Sequence, residues 1–361
     1  MNVRIPGPTP IPPAVKEAMA AEIPGHRSKP FEQLLGETMA ALKPIFGTAG
    51  DILVLTCSGT GGLEAAVANL LSPGQPALFV SIGTFGERWA KIAEAYGAEV
   101  VRLEFPPGSV APPEAVADAL RADPRLEVLF LTHSETSTGA LNDVAAIAAA
   151  ARAARPRVAI AVDGVSSVGA VPLETDAWGL DLVVTASQKA LMGPPGLALI
   201  AVAPRGWEAV EKAKLPRYYW DLRRARKDAA KNQTPFTPAI QDLLGLRAGL
   251  GLLLAEGLAA SFARHERLGR FARQGLRELG FTPLAAEPVA SPTVTAAWVP
   301  EDLSGSALLK RLEQARVYLS AGHAKDRTIR IAHMGYVSER EVAEALAALG
   351  AAAGELRGGP Q

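Results

Sequence analysis

The chain has 361 residues, of which 48% are apolar, and its 37 Lys and Arg residues balance its 37 Asp and Glu residues. A domain usually takes about 100–200 residues, so two or three domains are expected. The lack of net charge argues against a nucleic-acid-binding protein, which usually carries a basic excess. The single cysteine, Cys57, excludes an intramolecular disulfide and a cysteine zinc cluster.

Two segments bear on the location of the protein. The first residues lack the apolar stretch that a signal peptide requires. The longest apolar run, residues 243–260, is interrupted by Arg247 and Glu256, so we expect a buried or dimer-packing helix there rather than a membrane span. These features predict a soluble, cytoplasmic protein.

In chain order, the sequence predicts an extended Pro- and Gly-rich arm over residues 1–16, followed by alternating helices and strands. Short apolar runs predict the strands, and amphipathic segments predict the helices. The predicted helices cover residues 31–46, 62–71, 87–96, 114–121 and 144–154. The predicted strands cover residues 52–55, 77–82, 100–105, 128–132, 158–162, 182–185 and 197–202.

Continuous apolar strands separated by helices are typical of an α/β fold, in which a mostly parallel sheet is covered on both faces. The pattern changes after about Glu256 to a smaller α/β unit. Its predicted helices cover 261–279, 304–316 and 338–349, and its predicted strands cover 293–299 and 328–331. We therefore predict an N-terminal arm over 1–16, a large domain over 17–255 and a small C-terminal domain over 256–361.

Polar residues occur at four strand ends where a purely structural sheet would not need them. Residues 56–62 join a strand to a helix, and their small side chains would let backbone N–H groups approach an anion. Asp163 follows a buried strand, where a carboxylate is costly unless it is paired. Lys189 follows another, where burial would lower its pKa and make it a better amine nucleophile. Residues 133–139 bring hydroxyl groups to the same edge.

Together these features indicate a site for pyridoxal phosphate. This cofactor needs a lysine amine for its aldehyde, a carboxylate opposite its pyridine nitrogen and donors for its phosphate. Parallel sheets bind ligands at the carboxyl ends of their strands, where all of these parts are predicted. The 56–62 loop is neither a P-loop nor a dinucleotide fingerprint, because Glu64 stands at the third glycine position. Each feature taken alone also fits an ordinary turn, a cap or a surface lysine.

The same residues are where the chain resembles class V aminotransferases of PLP fold type I, especially the alanine/serine–glyoxylate (serine–pyruvate) group. The resemblance covers nearly the whole length. Its most specific parts are residues 162–167, 187–191 and 194–196, and further matches lie at 6–9, 58–64, 135–139 and 329–331. It implies a large domain with a mostly parallel seven-stranded sheet and a smaller C-terminal α/β domain.

The resemblance also implies roles for individual residues. Lys189 would carry the cofactor as a Schiff base and move a proton between the substrate Cα and the cofactor C4′, and Asp163 would pair with the pyridinium. Thr136 would lie near the ring oxygen, and Phe85 would stack on the ring, where the family often has Trp. Arg330 would bind the substrate carboxylate. The phosphate would be held by Ser58, Gly59, Thr60 and Gln188.

Two further segments concern a second subunit and an alternative substrate. Thr234 and Thr237 match a segment that reaches the phosphate of the neighbouring subunit, which predicts a homodimer, although the family often has Tyr at the place of Thr234. His26 and Arg27 match a pair that meets the substrate phosphate in phosphoserine aminotransferases. The glyoxylate group often shows the same letters, and an interface arginine is an equally good interpretation.

The sequence therefore predicts amino transfer from a small amino acid, serine or alanine, to glyoxylate or pyruvate. The alternative in the same chemistry is a phosphoserine or aspartate aminotransferase, with Arg27 as the second anion partner. Cysteine desulfuration needs a mobile cysteine in an active-site loop, whereas Cys57 lies in the phosphate-loop segment. A non-catalytic protein of this fold is disfavoured because Lys189, Asp163 and Arg330 are all present.

Overall fold

The computed structural model describes residues 1–358. Its strands are β1 (Asn2–Val3), β2 (Asp51–Thr56), β3 (Pro76–Ser81), β4 (Glu99–Glu104), β5 (Val128–Thr132), β6 (Ser134–Glu135), β7 (Ala140–Leu141), β8 (Ala159–Asp163), β9 (Leu182–Ala186), β10 (Leu197–Val202), β11 (Thr282–Pro283), β12 (Val294–Trp298), β13 (Val317–Tyr318), β14 (Ser320–Ala321) and β15 (Thr328–Ala332). Its α-helices are α1 (Pro13–Met19), α2 (Lys29–Phe46), α3 (Gly59–Leu70), α4 (Thr84–Ala95), α5 (Pro113–Ala122), α6 (Val144–Ala154), α7 (Pro204–Lys212), α8 (Leu222–Ala229), α9 (Ile240–Glu256), α10 (Leu258–Glu278), α11 (Gly305–Gln314) and α12 (Glu339–Gly358).

A seven-stranded sheet dominates the first part of the chain, with the strand order β2-β10-β9-β8-β5-β3-β4. Only β10 runs antiparallel to its neighbours, so the prediction of a mostly parallel sheet is confirmed. Every residue of β8 is buried. Ile160 and Val162 pack into the core on one face, and Ala159 and Ala161 pack into the core on the other. Burial on both faces explains why these strands are continuously apolar.

The topology gathers the polar strand ends that the sequence singled out. The strands β2, β5, β8 and β9 point the same way, so their carboxyl ends meet at one edge of the sheet. Each continues from there into a loop or a helix start that carries predicted site residues. This edge is therefore the place at which a shared site can form.

A four-stranded antiparallel sheet with the order β11-β12-β15-β14 forms the smaller unit, with a core of its own under α10, α11 and α12. The apolar run over 243–260 is not one continuous helix. It is divided at Gly257, whose φ of +84° favours glycine, and α9 and α10 meet there at 88°. No single helix within residues 1–358 is both long and apolar enough to cross a membrane.

Several predicted boundaries were wrong, for local reasons. The arm predicted as extended over 1–16 contains the start of α1. The helix predicted to begin at residue 62 begins at Gly59, because a glycine-rich first turn shows no apolar periodicity. The helix predicted from residue 87 begins at Thr84, since its cap comes from a distant residue described below. Asp163 is the last residue of β8, not the residue after it.

Other differences follow from composition. The helix α7 was not predicted, because it has only three buried residues in an otherwise polar segment. The polar segment over residues 218–227, interpreted as a solvated helix or a dimer face, contains most of α8. The last helix, α12, continues to Gly358 instead of ending near 349, through an Ala-rich stretch with weak periodicity. The remaining predicted elements agree with the structure to within a few residues at each end.

Candidate active site

The start of α3 forms an anion-binding turn at the sheet edge. Ser58 is the exposed N-cap residue, and its side chain makes no capping hydrogen bond. The first N–H groups of any helix have no partner within the helix, so those of Gly59 and Thr60 are available. A Cβ on Gly59 would lie 3.1 Å from Val165 and 3.2 Å from Ala186, so this turn packs between the β8 and β9 ends. The small residues predicted to receive a phosphate are thus beside the other predicted site residues.

Lys189 lies in the turn after β9 and is largely buried. Its Nζ donates a hydrogen bond to the Pro6 carbonyl of the N-terminal arm. Gly7 has a φ of +147°, and a Cβ there would be 2.7 Å from Nζ, so a larger residue would occupy the space of the amine. Thr9 holds the same turn through its hydroxyl, which is 3.2 Å from the Gln188 carbonyl and 3.2 Å from the Lys189 carbonyl.

Asp163 is buried, with 5% of its surface exposed. Among residues 1–358, one hydrogen bond reaches its side chain, from the Val165 N–H to Oδ1 at 2.9 Å. Burial raises the pKa of Asp163 to about 6, and that hydrogen bond acts in the opposite direction. Such a carboxylate gains from a cationic partner, because an opposite charge nearby favours its ionised form.

The lysine and the aspartate influence each other. Burial lowers the pKa of Lys189 to about 8, and the charge of Asp163 partly offsets that decrease. Conversely, the charge of Lys189 favours ionised Asp163. An amine with a pKa near 8 keeps an appreciable neutral fraction at physiological pH, and only the neutral amine is a nucleophile.

A distant carboxylate organises the start of α4, which carries Phe85. Glu135 is fully buried and accepts hydrogen bonds from the N–H of Phe85 at 2.9 Å and of Gly86 at 3.2 Å. Its other oxygen accepts from the N–H and hydroxyl of Ser137, at 3.0 and 2.6 Å. A Cβ on Gly83 would be 2.6 Å from Glu135, so glycine lets the carboxylate reach the helix end. Glu135 thereby fixes the first turn of α4, from which the Phe85 side chain extends.

Arg330, in the middle of β15, extends from the small unit to the same edge. Its Nε donates to the Ala321 carbonyl at 2.7 Å, and its Nη1 donates to the Thr136 carbonyl at 3.1 Å. Burial lowers its pKa, and the charge of Glu135 opposes that effect. The positive charge of Arg330 also lowers the pKa of Lys189. The two hydrogen bonds therefore fix the guanidinium, whose charge acts on the amine, and Thr136, which accepts one of them, is itself buried.

Comparison with known proteins identifies this arrangement. A family model described as Aminotransferase class-V matches residues 6–344. This chain belongs to the class V aminotransferases. The sequence resemblance is confirmed over nearly the full length that it was expected to cover.

Similar proteins span almost the whole aminotransferase chain. A relative from Anabaena cylindrica named soluble hydrogenase 42 kDa subunit is 41% identical over 97% of this chain and 92% of its own length. An L-aspartate–glyoxylate aminotransferase from Paracoccus denitrificans is 35% identical, over 93% and 86%. A serine–glyoxylate aminotransferase from Methylorubrum extorquens is 35% identical, over 95% and 88%. The structure of an alanine–glyoxylate aminotransferase from Nostoc sp. superposes with a TM-score of 0.93 at 29% identity, covering 98% and 95%.

The polar groups of this aminotransferase fit pyridoxal phosphate. The Ser58 hydroxyl makes no capping bond, and the Gln188 side-chain amide makes no hydrogen bond within the described residues, so its N–H₂ group is available as a donor. Asp163 accepts a single side-chain hydrogen bond, and Lys189 has the lowered pKa of a nucleophilic amine. These four residues supply each polar contact that the cofactor needs. Within residues 1–358, no three His, Cys, Asp or Glu side chains are grouped so as to ligate a metal ion.

Three predicted residues lie outside this group in the single chain. Thr237 is exposed, and Thr234 is buried with its hydroxyl donating to the Phe236 carbonyl at 2.7 Å. Arg27 donates to the Thr234 carbonyl at 2.7 Å and to the Gln233 side chain at 3.4 Å. Their contacts with another subunit or with a substrate anion stay predictions.

Sequence reasoning did not assign roles to Glu135, Thr9 and Gly7. All three lie in segments that resemble the family, so their presence was noted, but each acts through a long-range contact. The one available signal in the sequence was the position of Glu135 directly after a buried strand and among the hydroxyl residues of segment 133–139. Nothing in the sequence shows which backbone groups that carboxylate reaches.

Proposed function

We propose that this enzyme uses pyridoxal phosphate to move an amino group from a small amino acid, serine or alanine, to glyoxylate or pyruvate. The observation that carries the proposal is the arrangement of a buried carboxylate, Asp163, at the end of β8, and a largely buried amine, Lys189, in the turn after β9, with the Arg330 guanidinium held at the same edge of the sheet by the Thr136 carbonyl. Named aminotransferases that act on glyoxylate are among the similar proteins and support the choice of acceptor. When bound, the cofactor supplies an aldehyde that combines with amines and a ring that accepts electrons.

The chain's own residues divide the remaining work. Lys189 offers a partly neutral amine, which would hold the cofactor by its aldehyde and would move the proton of the substrate Cα. Asp163 would keep the ring nitrogen of the cofactor protonated through its negative charge. The turn of Ser58, Gly59 and Thr60 binds the phosphate through N–H groups and the helix dipole.

Arg330 orients the substrate. Its Nε and Nη1 donate hydrogen bonds to the carbonyls of Ala321 and Thr136, and neither hydrogen bond involves Nη2. The two bonds fix the plane of the guanidinium, so a carboxylate that binds it is fixed in rotation as well as position. Rotation matters because the Cα–H bond must stand perpendicular to the cofactor ring before the proton can leave.

A donor–acceptor matrix tests the proposed function. Purified protein loaded with pyridoxal phosphate is mixed with serine, alanine, aspartate or phosphoserine, each with glyoxylate or pyruvate, and the products are quantified. We expect turnover with serine or alanine and glyoxylate, together with a visible absorption band of the bound cofactor. A cofactor-loaded protein that turns over none of the pairs would overturn the proposal.

Two alternatives from the sequence are not favoured. Burial raises the pKa of the Cys57 thiol to about 12, so it is protonated at neutral pH, whereas a desulfurase needs a reactive thiolate. The phosphoserine reading relies on Arg27, which is already hydrogen-bonded to Thr234 and Gln233.

We further propose that the enzyme is a homodimer with shared sites. The support is the match of Thr234 and Thr237 to a segment that reaches a neighbouring phosphate in the family, and the exposure of Thr237. Mixing inactive Lys189→Ala subunits with inactive Thr237→Ala subunits should restore part of the activity, because one site of each hybrid has both residues intact. Demonstrated subunit exchange without rescue would contradict the shared site.

A further inference from the structure

A cavity of about 530 Å³ opens beside the proposed active site. Its wall includes Gly83 and Thr84 at the start of α4, Arg88 one turn further along, and His323 of the small unit. It therefore lies between the two units that supply Lys189 and Arg330. A substrate held at Arg330 has a side chain, and this cavity provides space for one.

Hydrogen bonds connect the cavity wall to the surroundings of Arg330. The Thr84 N–H donates to Ser137 Oγ at 3.0 Å, and the His323 N–H donates to the Ser137 carbonyl at 3.0 Å. A Cβ on Gly322 would lie 3.5 Å from Cγ of Arg330. The cavity and the carboxylate anchor thus share one wall.

Arg88 is a cationic residue of the cavity wall that forms no ion pair with an Asp or Glu side chain in the described part of the chain, whereas Lys91 lies 3.8 Å from Glu87. The cavity's two carboxylates, Glu87 and Glu104, lie 3.0 and 3.9 Å from Arg102. The negative charges of the wall therefore have partners, and the Arg88 guanidinium is exposed to the cavity.

Two observations relate Arg88 to the proposed site. Its Cζ lies 4.6 Å from the centroid of the Phe85 ring, the predicted stacking residue. Its positive charge acts on both central residues, since it lowers the pKa of Asp163 and of Lys189. The positive charge of Arg88 would likewise attract an anionic group of a substrate bound in the cavity.

We propose that Arg88 binds the second carboxylate of a dicarboxylic amino acid, such as aspartate, whose first carboxylate is held by Arg330. The inference rests on the proposed function, because it assumes an amino acid anchored at Arg330. A planar guanidinium without a protein partner matches a carboxylate with two parallel hydrogen bonds. When aspartate is used as a donor beside serine or alanine, its second carboxylate is thereby recognised by Arg88 and not by Arg27.

The first test is a change in specificity. Arg88→Gln is compared with the wild type by the ratio of kcat/KM for aspartate to kcat/KM for alanine, with glyoxylate as acceptor. Loss of a charged hydrogen-bonding partner for one substrate only should lower this ratio roughly 10–100-fold. Arg88→Lys, which keeps the charge without the fork, should lower it less.

Lys91→Gln is the matched control, because Lys91 is on the same helix and lines the same cavity but is paired with Glu87. Its aspartate-to-alanine ratio should equal that of the wild type. An equal fall in both substrates for Arg88→Gln would mean that Arg88 only supports Phe85, and would overturn the proposal. Absence of turnover with every donor in the wild type would instead be a failure of the proposed function.

Binding provides a readout that does not depend on turnover. Maleate carries two carboxylates and no amine, and propionate carries one carboxylate. Calorimetric titration of both therefore compares the affinity for a ligand that can bind Arg330 and Arg88 with that for a ligand that can bind only one of them. Arg88→Gln should weaken maleate binding roughly tenfold or more relative to propionate. Equal effects on the two ligands would place the second carboxylate elsewhere and overturn the assignment.

Discussion

Two buried aspartates at opposite edges of the large sheet differ in how they are satisfied. Asp181, just before β9, pairs with Arg152, accepts the Ile160 N–H at 2.7 Å and has Arg205 at 3.6 Å. Asp163, at the end of β8, has its single hydrogen bond from Val165. Burial raises the pKa of both, and two cations oppose the rise at each: Arg152 and Arg205 form ion pairs with Asp181, whereas Lys189 and Arg88 act on Asp163 without forming an ion pair.

The difference separates a structural carboxylate from one prepared for chemistry. A buried charge that serves stability is surrounded by partners, because an unpaired one is costly. A charge left short of partners is tolerated where a ligand supplies the missing one. At the carboxyl ends of the strands, Asp163 and Lys189 are charged groups with few protein partners. At the opposite ends, Asp181 forms an ion pair with Arg152.

The largest effect should come from Lys189→Ala, which removes the amine from the functional edge. We expect turnover to fall by roughly 10⁴-fold or more, since both the nucleophile and the proton carrier are lost, while the cofactor still binds noncovalently. Borohydride reduction of the loaded wild type followed by peptide mapping should label Lys189. Label on another lysine would end this assignment, and Lys91→Ala serves as the control for removal of a lysine.

The second prediction exchanges the two aspartates for asparagine. Asp163→Asn should lower kcat roughly 10²–10⁴-fold, because the neutral amide cannot hold the proton of the ring nitrogen. The cofactor-free variant should nevertheless be more stable at pH 7 by about 1–3 kcal/mol, since the raised pKa means that the buried charge opposes folding. Asp181→Asn should instead lower the free energy of unfolding, although the pKa of Asp181 is raised too, because the Arg152 guanidinium that contacts it would be left without its carboxylate; kcat should be unchanged.

The pH dependence of that stability difference has a definite sign. The folded-state pKa of Asp163 is about 6, above its ordinary value near 3.8, so the folded state holds its proton more strongly. The penalty therefore develops as the pH rises from about 4 to 6 and is constant above. Denaturant titrations of the cofactor-free wild type and Asp163→Asn should diverge in that window. Parallel curves throughout would show that Asp163 is as well satisfied as Asp181.

A smaller effect is expected for Arg330→Lys, which keeps the charge at the functional edge and loses the planar fork. We expect a loss of roughly 2–4 kcal/mol of transition-state stabilisation, about 30–1,000-fold in kcat/KM. The loss should appear for donor and acceptor alike, since both present a carboxylate to the same residue. Unchanged kinetics with a lower melting temperature would make Arg330 a structural residue, and a loss for one substrate alone would refute a shared anchor.

The smallest effect concerns the reactivity of the lysine. With a pKa of about 8, the neutral fraction of Lys189 should increase roughly fivefold between pH 7 and 8 and then level off. The rate of pyridoxal phosphate incorporation into the cofactor-free protein, followed by absorbance, should show this profile. In Asp163→Asn the profile should shift to lower pH, because the charge that favours protonated Lys189 is gone. A rate that still rises tenfold per pH unit above pH 9 would indicate an ordinary lysine.

Much of the fold could be predicted because it depends on local patterns. The alternation of buried strands and amphipathic helices, and the polar residues at strand ends, are visible over a few residues each. What could not be predicted depends on distance. The cap of α4 is Glu135, some 50 positions away, and the strand-order inversion that places β10 beside β2 leaves no trace in either segment. The polar helix α7 forms because tertiary packing overrides a weak pattern.

The N-terminal arm has a mechanical consequence. The Arg4 carbonyl accepts a hydrogen bond from the N–H of Ala332, the last residue of β15, and β1 pairs with β13 of the small unit, while Thr9 is bonded to the turn of Lys189. Eight residues thus tie the two units together across the reacting centre. A displacement of the small unit would therefore be transmitted through the N-terminal arm to the turn of Lys189. We expect the cores of the two units to unfold in a single cooperative transition. A single peptide-bond cleavage in this arm would leave every catalytic group in place and would still uncouple the motion of the small unit from that of the large unit.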